Sequence, residues 1–180
     1  MEMARAADQE GRWLSEDEQR SWRAFLRGQR LLNEALDQAL ATDGIRLTEY
    51  EIISMLSEAP GGRLRMSVLA DQVVQSRSRL THTATRLESR GWVERRTCHE
   101  DRRGVELTLT ASGRAALVDL SRIHVESVRA NLVDLLEPEQ FAALGEAMQV
   151  VVDALDVAGL TDAAQNPVRT HAAARLSDSA

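Results

Sequence analysis

The chain has 180 residues, a formal net charge of −6 at pH 7, 43% hydrophobic residues and only 3% aromatics. That length suits one folding unit, at roughly 150 residues per domain, with a core of Leu, Ala and Val as packed helices supply. No apolar run approaches the ~18 residues of a membrane span, Met1 to Asp17 lacks an apolar signal core, and a lone cysteine, Cys98, excludes an intramolecular disulfide, so a cytoplasmic protein without a membrane partner is expected.

Ser15-Glu16-Asp17-Glu18 reads as a capping box that opens a long helix. Trp22, Phe25, Leu26, Leu32, Leu36 and Leu40 recur near helical spacing up to about Ala41, and Thr42-Asp43-Gly44 ends it. Thr48-Glu49-Tyr50-Glu51 predicts a second capping box, with Ile52, Ile53 and Leu56 on a short apolar face and Pro60-Gly61-Gly62 as the stop. Ser67 is expected to cap a third helix. A turn at Gln75-Ser76 leads into a fourth that ends at Gly91, a left-handed C-cap. Trp92 to Thr97 and Val105 to Leu109 alternate or carry β-branched residues, as strands do, and the loop between them reads Glu100-Asp101-Arg102-Arg103-Gly104. Thr110 should cap a long helix reaching about Leu136. Glu137-Pro138-Glu139 starts another, with Pro at its first position, and Gly159 closes it. Thr161 to Ala180 is Ala-, Ser- and Asp-rich with little periodicity, as a loose tail is.

Charge is distributed unevenly. Between Arg63 and Gly104 ten arginines face five acids, a net +5, so the remainder of the chain carries −11. Every basic side chain is Arg and none is Lys. A guanidinium forks onto guanine or phosphate where an ammonium cannot. A basic middle between acidic flanks is an electrostatic footprint for nucleic acid.

On a wheel at ~100° per residue, the helix 76–90 places Leu80, Ala84 and Leu87 toward the core. Ser78, His82, Thr85 and Ser89 lie opposite, with Arg79 and Arg86 on one flank and Thr81 on the other. Small residues allow a helix to approach base edges, Arg can take guanine bidentately, and a Thr methyl can touch the thymine methyl. Ser76 and the first amides of the helix can hold a phosphate, and Arg77 counts among the DNA-binding residues of this helix. His82 fits a groove contact and an idle surface position equally well. In the loop, Asp101 can hold Arg103 extended for a narrow minor groove, and Arg102 takes a phosphate. Arg95 and Arg96 suit either phosphate contact or strand-edge solubility. Helix–turn–helix followed by an arginine-tipped hairpin is the order of a double-stranded-DNA reader.

These segments resemble the MarR family of transcriptional regulators. The matching residues are Leu47-Thr48-Glu49-Tyr50-Glu51, Ser67-Val68-Leu69-Ala70, Ser76-Arg77-Ser78, Arg86 to Arg95, Asp101 to Val105 and Leu107 to Gly113. The resemblance implies a mainly α fold with a small β-hairpin wing, that is, a winged helix–turn–helix lobe plus a helical dimerisation region. It implies a homodimer, a pseudo-palindromic operator, repression, release by a small-molecule effector, and Asp101 orienting Arg103. The expected organisation is an N-terminal dimerisation helix (1–44), a DNA-binding lobe (45–110), C-terminal dimerisation helices (111–160) and a tail (161–180).

Trp13, Trp22, Met55, Arg122 and His124 are candidates for an effector pocket, with core packing the plainer role for Trp22 and Met55. Redox or metal control through Cys98 and His99 is an alternative. Arg96 and His99 flank Cys98 and could lower its pKa, but neighbours on a strand point to opposite faces and chelate poorly. A winged-helix protein-interaction module is a further alternative. An enzyme is not expected: there is no phosphate-binding Gly loop and no spaced metal-ligand set, and His82, His99, His124 and His171 are scattered. No cofactor is implied.

Overall fold

The structure, a computed structural model, describes residues 13–73, 76–97 and 104–157. Six helices occur in it: α1 (Glu16–Ala41), α2 (Leu47–Glu58), α3 (Met66–Gln72), α4 (Arg77–Ser89), α5 (Ala111–Asn131) and α6 (Pro138–Val157). Three short strands, β1 (Arg63–Arg65), β2 (Val93–Thr97) and β3 (Val105–Leu109), form one antiparallel sheet in the order β1-β3-β2. The register pairs Val93 with Leu109, Arg95 with Leu107, and Arg65 with Glu106. Among the described residues, no helix is long and apolar enough to cross a membrane.

The helix starts follow local chemistry. At α1 the Ser15 hydroxyl accepts from the Glu18 amide (3.3 Å) and the Glu18 carboxylate accepts from the Ser15 amide (2.7 Å), both halves of the expected box. Those hydrogen bonds from Ser15 hold the Glu18 carboxyl below its ordinary pKa. Ser76 caps α4 by accepting from the Arg79 amide (3.3 Å). Thr110 caps α5 by accepting from the Gly113 amide (3.0 Å). Gly91 ends the α4 segment at φ +72°, the left-handed conformation that favours glycine.

Four expectations are corrected. α2 starts at Leu47, so Thr48 lies inside the helix rather than capping it; the Glu49 carboxylate instead reaches back to the Arg46 amide (2.8 Å). α3 starts at Met66, one residue before Ser67. α5 stops at Asn131, not Leu136, because Leu132 leaves helical geometry at φ −144° and the chain continues as a 3-10 turn over Val133–Leu135. The Arg129–Asp134 ion pair (2.6 Å) staples that turn. Strand β1 was not foreseen: three residues are too few to show a period, and only pairing with β3 defines them. The expected end at Gly159 and the tail 161–180 lie outside the described residues.

The described residues fall into two compact units, divided inside α1: one ends at Glu34 and the other begins at Ala35. The buried hydrophobic core belongs to the second unit. Leu40, Ile45, Ile52, Ile53, Leu56, Leu69, Ala84, Leu87 and Leu107 are sealed from solvent. α2 lies at its centre, packed on α5, α4 and the sheet. In the first unit, the described part of α1 keeps Trp22, Phe25 and Leu31 exposed, with the Trp22 and Phe25 rings stacked at 5.8 Å.

Candidate nucleic-acid interface

α4 is fixed to the lobe by its inner face. Leu80, Ala84 and Leu87 are buried as their spacing predicts, and Thr83 joins them, its hydroxyl donating to the Arg79 carbonyl (3.1 Å). The opposite face is open to solvent: Ser76, Arg77, Ser78, Arg79, Thr81, His82, Thr85 and Arg86 are all exposed. Thr81 and Thr85 donate their hydroxyls back to the carbonyls of Arg77 and Thr81, at 2.8 and 2.9 Å.

The two flanks of α4 are held differently. On the α2 side, the Arg86 Nε donates to the Glu49 carboxylate at 2.9 Å. The Glu49 side chain is 3% exposed and that of Arg86 is 54% exposed. Glu49 is in turn tied to the α1–α2 corner. Asp37 accepts from the Leu47 amide (2.9 Å) and the Arg46 Nε (3.1 Å) beside it. Arg90 donates to the Gly44 carbonyl and lies over the Trp92 ring, 5.0 Å from its centroid. Asp37, Gly44, Arg46, Glu49 and Arg90 border an open polar cleft of about 730 Å³, which Ser78, Arg79, His82 and Arg86 also line. Burial pushes the Glu51 carboxyl up from its ordinary pKa, opposed by the Arg79 charge.

On the wing side, β2 contributes Arg95. Its side chain donates to the Glu88 carboxylate, the Thr81 carbonyl (2.8 Å) and the Thr85 hydroxyl (3.1 Å), and its amide donates to Glu88 (3.0 Å). The Arg95 side chain is only 28% exposed. It braces the hairpin against α4, an arrangement that residue type alone did not reveal. Arg96 is exposed and paired with Glu94 (2.5 Å). A second cleft, between α3, α4 and the start of β3, is lined by Arg65, Met66, Ser67, Arg77, Leu80 and Thr81 among others. Asp101, Arg102 and Arg103, and Cys98 with His99, lie outside the described residues.

The effector candidates are spread over both units. Trp13 is 88% exposed ahead of α1, and Trp22, at 50%, is not a core residue. Met55 is half-buried on α2, Arg122 is exposed on α5, and His124 is half-buried with its ring against Tyr50 at 4.4 Å. The His124 Nδ1 is buried with no hydrogen-bond partner among the described residues, and burial lowers its pKa. Among the described residues, no group of three or more His, Cys, Asp or Glu is placed to hold a metal ion.

Comparison with known proteins gives a consistent result. The model of the MarR family matches residues 45–105. The HTH-type transcriptional regulator PecS of Dickeya dadantii is 31% identical over 110 residues, covering 60% of this chain and 63% of PecS. The transcriptional repressor MprA of Escherichia coli is 34% identical over 82 residues, covering 46% of this chain and 47% of MprA. The chain thus spans between about half and just under two thirds of the length of the curated relatives it matches. A crystal structure of Sco3205, a MarR family transcriptional regulator from Streptomyces coelicolor in complex with DNA, superposes with a TM-score of 0.77 at 40% identity, covering 82% of this chain and 92% of that one.

Proposed function

Because the chain belongs to the MarR family of transcriptional regulators, we propose that it binds double-stranded DNA sequence-specifically as a homodimer, represses from a pseudo-palindromic operator and is released by a small-molecule effector. The observation that carries this reading is the outer face of α4. It presents small hydroxyl side chains, one imidazole and arginines, and its one acid, Glu88, is already engaged by Arg95. Such a face fits a major groove, where small side chains permit close approach and guanidinium reads guanine. It lacks the apolar or aromatic anchors of a protein-docking surface.

The wing supplies the second contact in this reading: Asp101 orients Arg103 for the minor groove, and Arg102 takes phosphate. Residues 45–110 form the DNA lobe, and 1–44 with 111–160 the dimerisation region. Support for the dimer comes from α6, where Phe141, Leu144, Met148, Val151 and Leu155 repeat at alternating spacings of three and four, and none is buried. That is a seam for another helix. Trp13, Trp22, Met55, Arg122 and His124 remain the starting set for locating an effector.

The test is a salt titration of binding to the DNA upstream of the coding sequence, against a scrambled duplex of equal length. Tight binding to the first alone, weakening steeply with salt, is expected. Arg103→Ala should lower the specific affinity by about tenfold or more, the size of one lost groove contact. Equal weak binding to both duplexes overturns sequence-specific reading of that DNA. No binding to either at low salt favours a protein-interaction module.

A further inference from the structure

The Glu49–Arg86 pair sits where α2 meets the outer flank of α4. We propose that Glu49 is a positioning residue for base reading: it fixes the Arg86 guanidinium so that one operator base pair is read by a rigid arginine rather than a mobile one. The proposal rests on α4 being the reading helix.

A buried carboxylate is stable only while its oxygens are satisfied. Glu49 has one oxygen on the Arg46 amide (2.8 Å) and the other on the Arg86 Nε (2.9 Å). Withdrawing Arg86 would leave a buried charge with a single amide donor, so the arginine is held firmly. A guanidinium has five N–H donors, and the bond to Glu49 uses the one on Nε. The four on the two Nη atoms remain, at the head of a side chain 54% exposed beside the cleft that Ser78, Arg79 and His82 also line.

A free arginine must give up several rotamers on meeting DNA, and it meets any phosphate as readily as a chosen base. One already held by Nε loses less entropy and offers its donors in one direction. The buried acid therefore adds no attraction for DNA, and its negative charge opposes it. Its contribution is discrimination. Arg46, held by Asp37 (2.7 Å), keeps the amide that steadies Glu49 in place, so the anchor reaches back to the last turns of α1. Residues 37, 46 and 49 lie within one stretch of the chain, whereas Arg86 comes from 37 positions beyond Glu49, so only the fold brings it to them.

The experiment starts from a duplex selected by the parent protein out of a random pool, together with single-base-pair variants of it. Affinities for the whole set are measured for the parent, Glu49→Gln, Arg86→Ala and the double variant, with melting temperatures alongside. Glu49→Gln can keep the bond to the Arg46 amide through its one amide oxygen but turns an NH2 donor toward Arg86, so it is expected to melt somewhat below the parent and keep its salt dependence. At one base-pair position it should lose about tenfold of the parent's discrimination, the scale of one bidentate contact. Arg86→Ala should lose the same position, and the double variant should lose no more than Arg86→Ala. A merely structural Glu49 would instead lower affinity for every duplex alike, with no base-pair position singled out. That result overturns the proposal, as does Glu49→Gln discriminating every position like the parent. If Glu49→Gln does not fold, Glu49→Asp, which keeps the charge but shortens its reach to Arg86, must show the same positional loss or the proposal fails. A parent that selects no duplex at all overturns the reading-helix assignment itself, a failure visible before any variant is made.

Discussion

His124 shows how a single side chain ties stability to pH. Its ring rests on Tyr50, its Nδ1 is buried without a partner among the described residues, and burial holds its pKa below the 6.5 of a free imidazole. The folded state therefore favours the neutral ring. As pH falls below about 6.5 the unfolded chain takes up the proton first, so this contribution is fully present above that pH and is lost on acidification toward the lowered folded value. Thermal melts of the parent and His124→Gln between pH 7.5 and 5 should show the parent losing more stability over that interval. Equal slopes would mean that His124 is solvated. The same residue illustrates what sequence can and cannot convey. Its position was noticeable as one of four histidines, but its burial against a residue 74 positions earlier follows only from α5 lying on α2.

At the scale of elements, the wing and the candidate reading helix are joined by Arg95. This arginine lies on a strand near other arginines, so sequence suggested a phosphate contact and strand-edge solubility with equal weight. In the structure it bonds Glu88, Thr81 and Thr85, three α4 residues spaced to lie along one flank. Arg95→Ala should cost about 1.5–3 kcal/mol, the range of hydrogen bonds to a charged group, read as a fall in unfolding free energy in urea. If it also touched phosphate, the salt dependence of DNA binding would flatten by about one unit; the expected slope is unchanged. The element ends were more legible than this tie. Ser15, Ser76, Thr110 and Gly91 announce their roles because a cap is chemistry between residues three or four apart. The stop of α5 at Asn131 was not legible. No Gly or Pro marks it, and the break at Leu132 is followed by a turn that an ion pair across five residues secures.

At the scale of the whole molecule, the apolar residues on α6 exceed what one chain covers. Val150 is 70% exposed, and Val151, Val152 and Leu155 are each close to half exposed. Leaving such a stripe in water costs roughly 25 cal/mol for every Å² of apolar surface, and a symmetric partner is the simplest way to cover it. The paired substitution Val151→Glu with Leu155→Glu should convert a two-chain species into a single chain by sedimentation, while helical circular dichroism is largely kept. A parent already monomeric at micromolar concentration would remove the dimer from the proposed function.

Sequence by itself determined the order of the six helices and the two hairpin strands, the inward face of α4 at Leu80, Ala84 and Leu87, and the family, because caps, helical periods and short motifs are local and survive being read along a line. Tertiary structure decided which arginines are spoken for. Arg86 on Glu49, Arg95 on Glu88 and Arg90 on the Gly44 carbonyl are held, whereas a count of charge between Arg63 and Gly104 treats them alike. The reason is physical: a guanidinium's availability depends on the acceptor within about 3 Å of it, and two of those acceptors, on Glu49 and Gly44, come from chain segments 37 and 46 residues away.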